Sequence, residues 1–136
     1  MKTINTIILV CVIFLTGCVT TEVSTQFNDN ITAEGNTPVA TIFAENYGYY
    51  LFGYLPICAG NPDKPNVNTM SLFEDTVTIE NNSKMINLEA QKLGATSLAE
   101  IRHSTNWTGG FSLWIIWKQV LTSNAFAVKS QNKNAQ

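Results

Sequence analysis

The run from Val39 to Leu55 constrains this chain most, because it places Phe43, Tyr47, Tyr49, Tyr50, Phe52 and Tyr54 among aliphatic and β-branched neighbours. Such residues fit a pleated, half-buried surface, and the run predicts a strand. Its odd positions (Val39, Phe43, Tyr47, Tyr49, Leu51, Leu55) make one apolar face, yet Tyr50, Phe52 and Tyr54 make the opposite face apolar as well. Gly48 and Gly53 interrupt it, the mark of a bulge or of a close backbone approach. Pro56 and residues 60–66, which hold two further prolines, then read as a loop that ends strand pairing.

A helix is expected from about Thr78 to Leu93. Thr76 or Thr78 can cap it, Glu80 sits in the first turn and Gly94 supplies the stop. At helical spacing Ile79, Ile86, Ala90 and Leu93 share one narrow stripe, while Lys84, Asn87 and Gln91 point away. A stripe of that width covers one face of a sheet, and Ala90 allows a close approach.

Beyond Gly94 the order strand, turn, strand is the simplest account, with Gly109-Gly110 as the turn and a bulge or turn at residues 122–124. Residues 111–121 are long enough for a helix, but their Trp, Ile and Phe content favours β structure. The fold expected is α+β: an antiparallel sheet of three to five strands with one packed helix, over residues 39–129. Residues 130–136 read as a disordered tail.

The N-terminus has a different character. Lys2 precedes an uncharged run that closes on Leu15-Thr16-Gly17-Cys18. A spanning helix needs roughly 20 mostly apolar residues, and Thr20-Thr21-Glu22 arrives too early to supply them. Residues 1–17 therefore read as a cleaved signal peptide. From Cys18 to Pro38 few large apolar residues occur, a composition that predicts a flexible tether reaching on the order of 60 Å at about 3.3 Å per residue.

Residues 1–18 resemble the bacterial lipoprotein signal class, with Leu15-Thr16-Gly17-Cys18 as its lipobox. That resemblance implies a diacylglyceryl group on the Cys18 sulfur, cleavage before Cys18 and anchoring by several acyl chains, since one chain binds only marginally. Val19 stands where an aspartate would mark inner-membrane retention, which implies the outer membrane, facing the periplasm. Residues 39–128, with Phe52-Gly53-Tyr54-Leu55-Pro56 and Ala90-Gln91-Lys92-Leu93-Gly94-Ala95, resemble small envelope lipoproteins of the TRL-like kind. These imply an α+β module on a lipid anchor and supply no catalytic residue.

Chemistry is sparse. The net charge of −2 becomes −3 once Lys2 leaves with the signal, and the eight basic residues are dispersed, so no nucleic-acid partner is expected. Cys11 leaves too, and Cys58 remains as a thiol that is buried, cross-linked to a partner or reactive. His103 is the one histidine, which excludes multi-histidine metal sites and leaves Cys58 with His103 as the one nucleophile and base to weigh. Glu74-Asp75 before the helix reads as its dipole complement. No catalytic residue, metal or cofactor is expected. The expected function is a non-enzymatic structural or interaction role, with an envelope protein or the bilayer surface as partner and Tyr50, Tyr54 and Trp114 in an exposed patch. The alternatives are that the rings simply fill the core, or that the tyrosine-rich strand lines a small-ligand or stress-sensing pocket.

Overall fold

The computed structural model describes residues 19–25, 36–111 and 113–130. Strands β1 (Val19–Ser24), β2 (Asn36–Leu51), β3 (Leu55–Gly60) and β4 (Met70–Leu72) are followed by helix α1 (Ile79–Lys92), β5 (Ser97–Phe111) and β6 (Ile116–Ser130). The class is α+β with an antiparallel sheet, but of six strands instead of three to five, in the order β4-β3-β2-β6-β5 with β1 also paired to β2.

The difference has local causes. The aromatic run is not one strand: Phe52 (φ 54°) and Gly53 (φ 80°) turn the chain, and Leu51 pairs with Leu55 across the hairpin. Pro56 lies inside β3, at the register shift beside Tyr49 and Tyr50, where its missing N–H breaks no regular ladder. Gly109-Gly110 is not a turn either. β5 runs on to Phe111, and β6 passes through residues 122–124 without interruption.

The expected tether is also corrected where it is described. Val19–Ser24 pairs with residues 41–46 of β2, Val19 is buried, and Asn36 already opens β2. Composition alone missed this because Thr, Val and Ser gain a ladder once a long partner strand exists. Asn66 (φ 65°) extends the docking: its N–H donates to the Val19 carbonyl at 2.8 Å, and its side-chain Oδ1 accepts from the Thr21 N–H at 2.9 Å. Cys18 and residues 26–35 lie outside the described residues.

Thr78 caps α1, its hydroxyl accepting from the Asn81 N–H at 3.2 Å. Gly94 (φ 71°) ends it in a Schellman motif, Ala95 N–H donating to Ala90 O and Gly94 N–H to Gln91 O, each at 3.0 Å. The buried stripe is Asn82, Met85, Ile86 and Ala90, and Ile79 is exposed. Ile79, the first helical residue, was expected in the stripe and stands at solvent instead. The core forms where this stripe meets Ala40, Ile42 and Ala44 of β2 and Ala125 and Ala127 of β6. Alternate small residues let the helix approach closely, so burial comes from backbone proximity as much as from large side chains.

One polar contact is built into that core. The Asn82 amide donates to Leu121 O at 2.9 Å and to Ser123 Oγ at 3.0 Å. On the helix side of the sheet a second cluster joins Tyr50, Ala59, Val77 and Leu121. Gly48 lies beneath it, where a β-carbon would stand 2.9 Å from Ala59 Cβ. The opposite face of β2, β6 and β5 carries no helix among the described residues.

Candidate functional site

The residues expected in an exposed patch separate. Tyr50 is only 2% exposed, so it leaves the patch: its ring packs in the second cluster and tilts against Trp107 at 5.3 Å. Its hydroxyl donates to Asp75 Oδ1 at 2.6 Å. Position 50 shares the helix-facing side of β2 with Ile42 and Ala44, and that parity buries it. Burial and the Asp75 carboxylate raise its pKa far above the ordinary tyrosine value. Tyr54 and Trp114, by contrast, are 70% and 67% exposed.

Tyr54 belongs to the β2–β3 turn and Trp114 to the β5–β6 turn, two hairpins that meet at one end of the sheet. Phe52 N–H donates to Ile115 O at 2.7 Å and joins them. Trp117 packs beneath both: its ring lies on Gly53 and on Gly109, and its Nε1–H donates to Trp114 O at 2.9 Å. On this frame Phe52, Tyr54, Leu113 and Trp114 project outward, Leu113 at 89% exposure. The stretches 46–62 and 104–117, from which these tip residues come, contain no Asp, Glu, Lys, Arg or His.

The backbone at these positions is unusual. Phe52 (φ 54°), Leu113 (φ 58°), Trp114 (φ 68°) and, on the neighbouring margin, Phe73 (φ 58°) all occupy the left-handed region. Glycine and asparagine adopt it readily, whereas a bulky side chain costs about 1–2 kcal/mol there. Four large exposed apolar residues stand where small polar ones would stabilise both the turn and its solvation. Strain of this kind collects at functional surfaces. Sequence reading missed Phe52 and Leu113 as surface residues because it placed both within strands; the two uncharged stretches were the signal that marks them.

The remaining candidates do not assemble a reactive site. Cys58 is buried on β3 and its thiol pKa is raised by burial. β2 and β6 separate β3 from β5, about 14 Å across the sheet at about 4.8 Å per strand, and the register sets Cys58 level with Thr108, five residues along β5 from His103, so the two lie farther apart still. His103 Nδ1 is instead hydrogen-bonded to Ser123 Oγ at 2.8 Å. Ser123 is buried and also accepts from Asn82, so the pair ties β5 to the core and offers no open nucleophile. Glu74 and Asp75 do not cap α1; Asp75 accepts from Tyr50 and from the Val77 N–H. No cluster of three or more His, Cys, Asp or Glu that could hold a metal occurs among the described residues.

On the open face, a depression of about 370 Å³ is lined by Phe43, Arg102, His103, Ser104, Thr122 and Asn124. A second, of about 260 Å³, adjoins it beside Thr41 and Phe126. The tyrosines of β2 line neither. No helix among the described residues is long and apolar enough to cross a membrane. Comparison with protein-family models, with curated proteins and with solved structures finds no match to this chain.

Proposed function

We propose that this chain is a lipid-anchored, non-enzymatic envelope lipoprotein, acylated at Cys18, that uses the charge-free tip as its contact surface. The single observation that carries the contact role is the placement of Phe52, Leu113 and Trp114 at left-handed turn positions, where they are exposed and cost stability. A surface with no contact to make gains nothing from that arrangement. The anchor reading rests on the short uncharged run that closes on Leu15-Thr16-Gly17-Cys18. Location at the outer membrane, facing the periplasm, is what the resemblance to lipoprotein signals implies with Val19 after Cys18.

Intact-mass analysis of the protein from its native membrane tests this reading. The expected product has lost residues 1–17 and carries acyl mass on Cys18. An unmodified N-terminus, or a precursor that retains its opening residues, would overturn it.

A further inference from the structure

Four observations indicate what the tip touches. Both segments that build it lack charge throughout, whereas protein interfaces carry a polar rim and complementary charges. The boundary between headgroups and acyl chains favours Trp and Tyr, and a charge carried deeper among the acyl chains is costly. The tip side chains also stand out from two turns, Tyr54 at 70% and Leu113 at 89% exposure, and neither of the two depressions on the open face reaches them.

Position is the third. β1 begins at Val19, one residue after Cys18 in the sequence, opposite Asn46 in the middle of β2. From that level to the end of β2 at Leu51 is about 17 Å at roughly 3.3 Å per residue. Exposed apolar side chains bridge the interval. Val67 follows Asn66, which is bonded to Val19; Met70 pairs with Gly60, Leu72 with Cys58, and Phe73 N–H donates to Ile57 O. An apolar margin thus connects the start of the fold to its tip.

Charge placement is the fourth. The charges nearest the tip are the acids Glu74 and Asp75, the latter bonded by Tyr50, and the single cation Lys118, which pairs with Tyr49 and lies 4.0 Å over the Tyr47 ring, so no cationic cluster is there to attract anionic headgroups.

We infer that the tip inserts into the headgroup and outer acyl region of the leaflet that holds Cys18, laying the domain on the bilayer instead of suspending it above. This rests on the anchor reading for its compartment, and its test separates the two. The protein purified from its native membrane is reconstituted in phosphatidylcholine and phosphatidylethanolamine vesicles containing lipids brominated near the top of the acyl chain. Its acylation is read by mass, and its tryptophan emission is read with and without added salt. The double variant Phe52→Asn, Leu113→Asn keeps all three tryptophans and relieves two left-handed bulky residues, so it should melt no lower than the parent.

The parent should show blue-shifted emission quenched by the brominated lipid and insensitive to salt. The double variant should lose much of that quenching. An acylated protein whose tryptophans remain open to an aqueous quencher, with no effect of brominated lipid, overturns the inference and leaves the anchor standing; a protein partner would then be the occupant. Lipid quenching of an unacylated chain supports tip insertion and overturns the anchor. No quenching and no acylation overturn both. A folded double variant quenched as strongly as the parent also overturns tip insertion.

Discussion

The Trp117 indole lies flat against the Cα of Gly109, so closely that a β-carbon at residue 109 would stand 2.5 Å from ring atom Cζ3 and 2.7 Å from Cε3. The ring has no easy retreat, because Gly53 lies against it and its Nε1–H is held by Trp114 O. Gly109→Ala should therefore push Trp117 out of the joint between the hairpins and cost about 1–3 kcal/mol. Urea unfolding followed by tryptophan emission reads the effect. Unchanged stability and an unchanged spectrum would show that the joint is looser than described.

The strained turns make the opposite prediction. Leu113→Asn with Trp114→Gly places residues that tolerate positive φ at the two left-handed positions of the β5–β6 turn. The double variant should be more stable by about 1–2 kcal/mol, although it removes two large side chains. A drop in the thermal midpoint would mean that these residues serve packing, and would remove the argument for a contact surface.

Tyr50→Phe deletes the hydroxyl that donates to Asp75 and should cost about 1–2 kcal/mol near neutral pH. The folded state holds Tyr50 neutral and raises its pKa, so its contribution is fully present below the unfolded pKa of 10.0 and is lost as pH climbs above that value. Urea midpoints at about pH 8 and about pH 11 should therefore converge for the parent and the variant at the alkaline end. A difference independent of pH would place the hydroxyl's worth elsewhere than in this bond.

Burial that raises the Cys58 thiol pKa also shields it. Labelling with a thiol reagent near neutral pH, followed by peptide mapping, should leave Cys58 unmodified in the folded protein and modify it fully in urea. Equal rates in the two states would contradict its place in β3.

Gly94→Ala isolates a pure backbone effect. No atom lies within 4 Å of a β-carbon there, so the whole cost comes from φ 71° and should be about 1 kcal/mol. A loss several times larger would mean that the cap couples to the α1 packing.

Local chemistry set much of the fold. The helix was legible from Thr78 to Gly94 because capping and the C-terminal glycine act within a few residues, and β structure at residues 116–121 followed from side-chain type, though not the turn at residues 113–115. Uncharged residues before Cys18 gave the anchor reading, which the described residues do not reach. Turn positions escaped the sequence because the residues there are the wrong ones for turns. Phe52, Leu113 and Trp114 have strand-forming side chains, and only pairing of Leu51 with Leu55 and of Phe111 with Ile116 forces them into left-handed backbone. Strand β1 was hidden for a related reason, since its ladder exists only once β2 presents an edge.

Which aromatic rings are buried was decided at the same level. Tyr50 and Tyr54 are four residues apart in one tyrosine-rich run, and composition treats them alike. The hairpin between them puts one in the second cluster and the other at the tip. By itself the sequence determined that the chain makes an α+β fold with a helix packed on an antiparallel sheet, and that it carries more aromatic surface than that helix can cover. Only the tertiary structure decided where the excess is exposed, because side-chain alternation fixes a face only after strand ends and register are known.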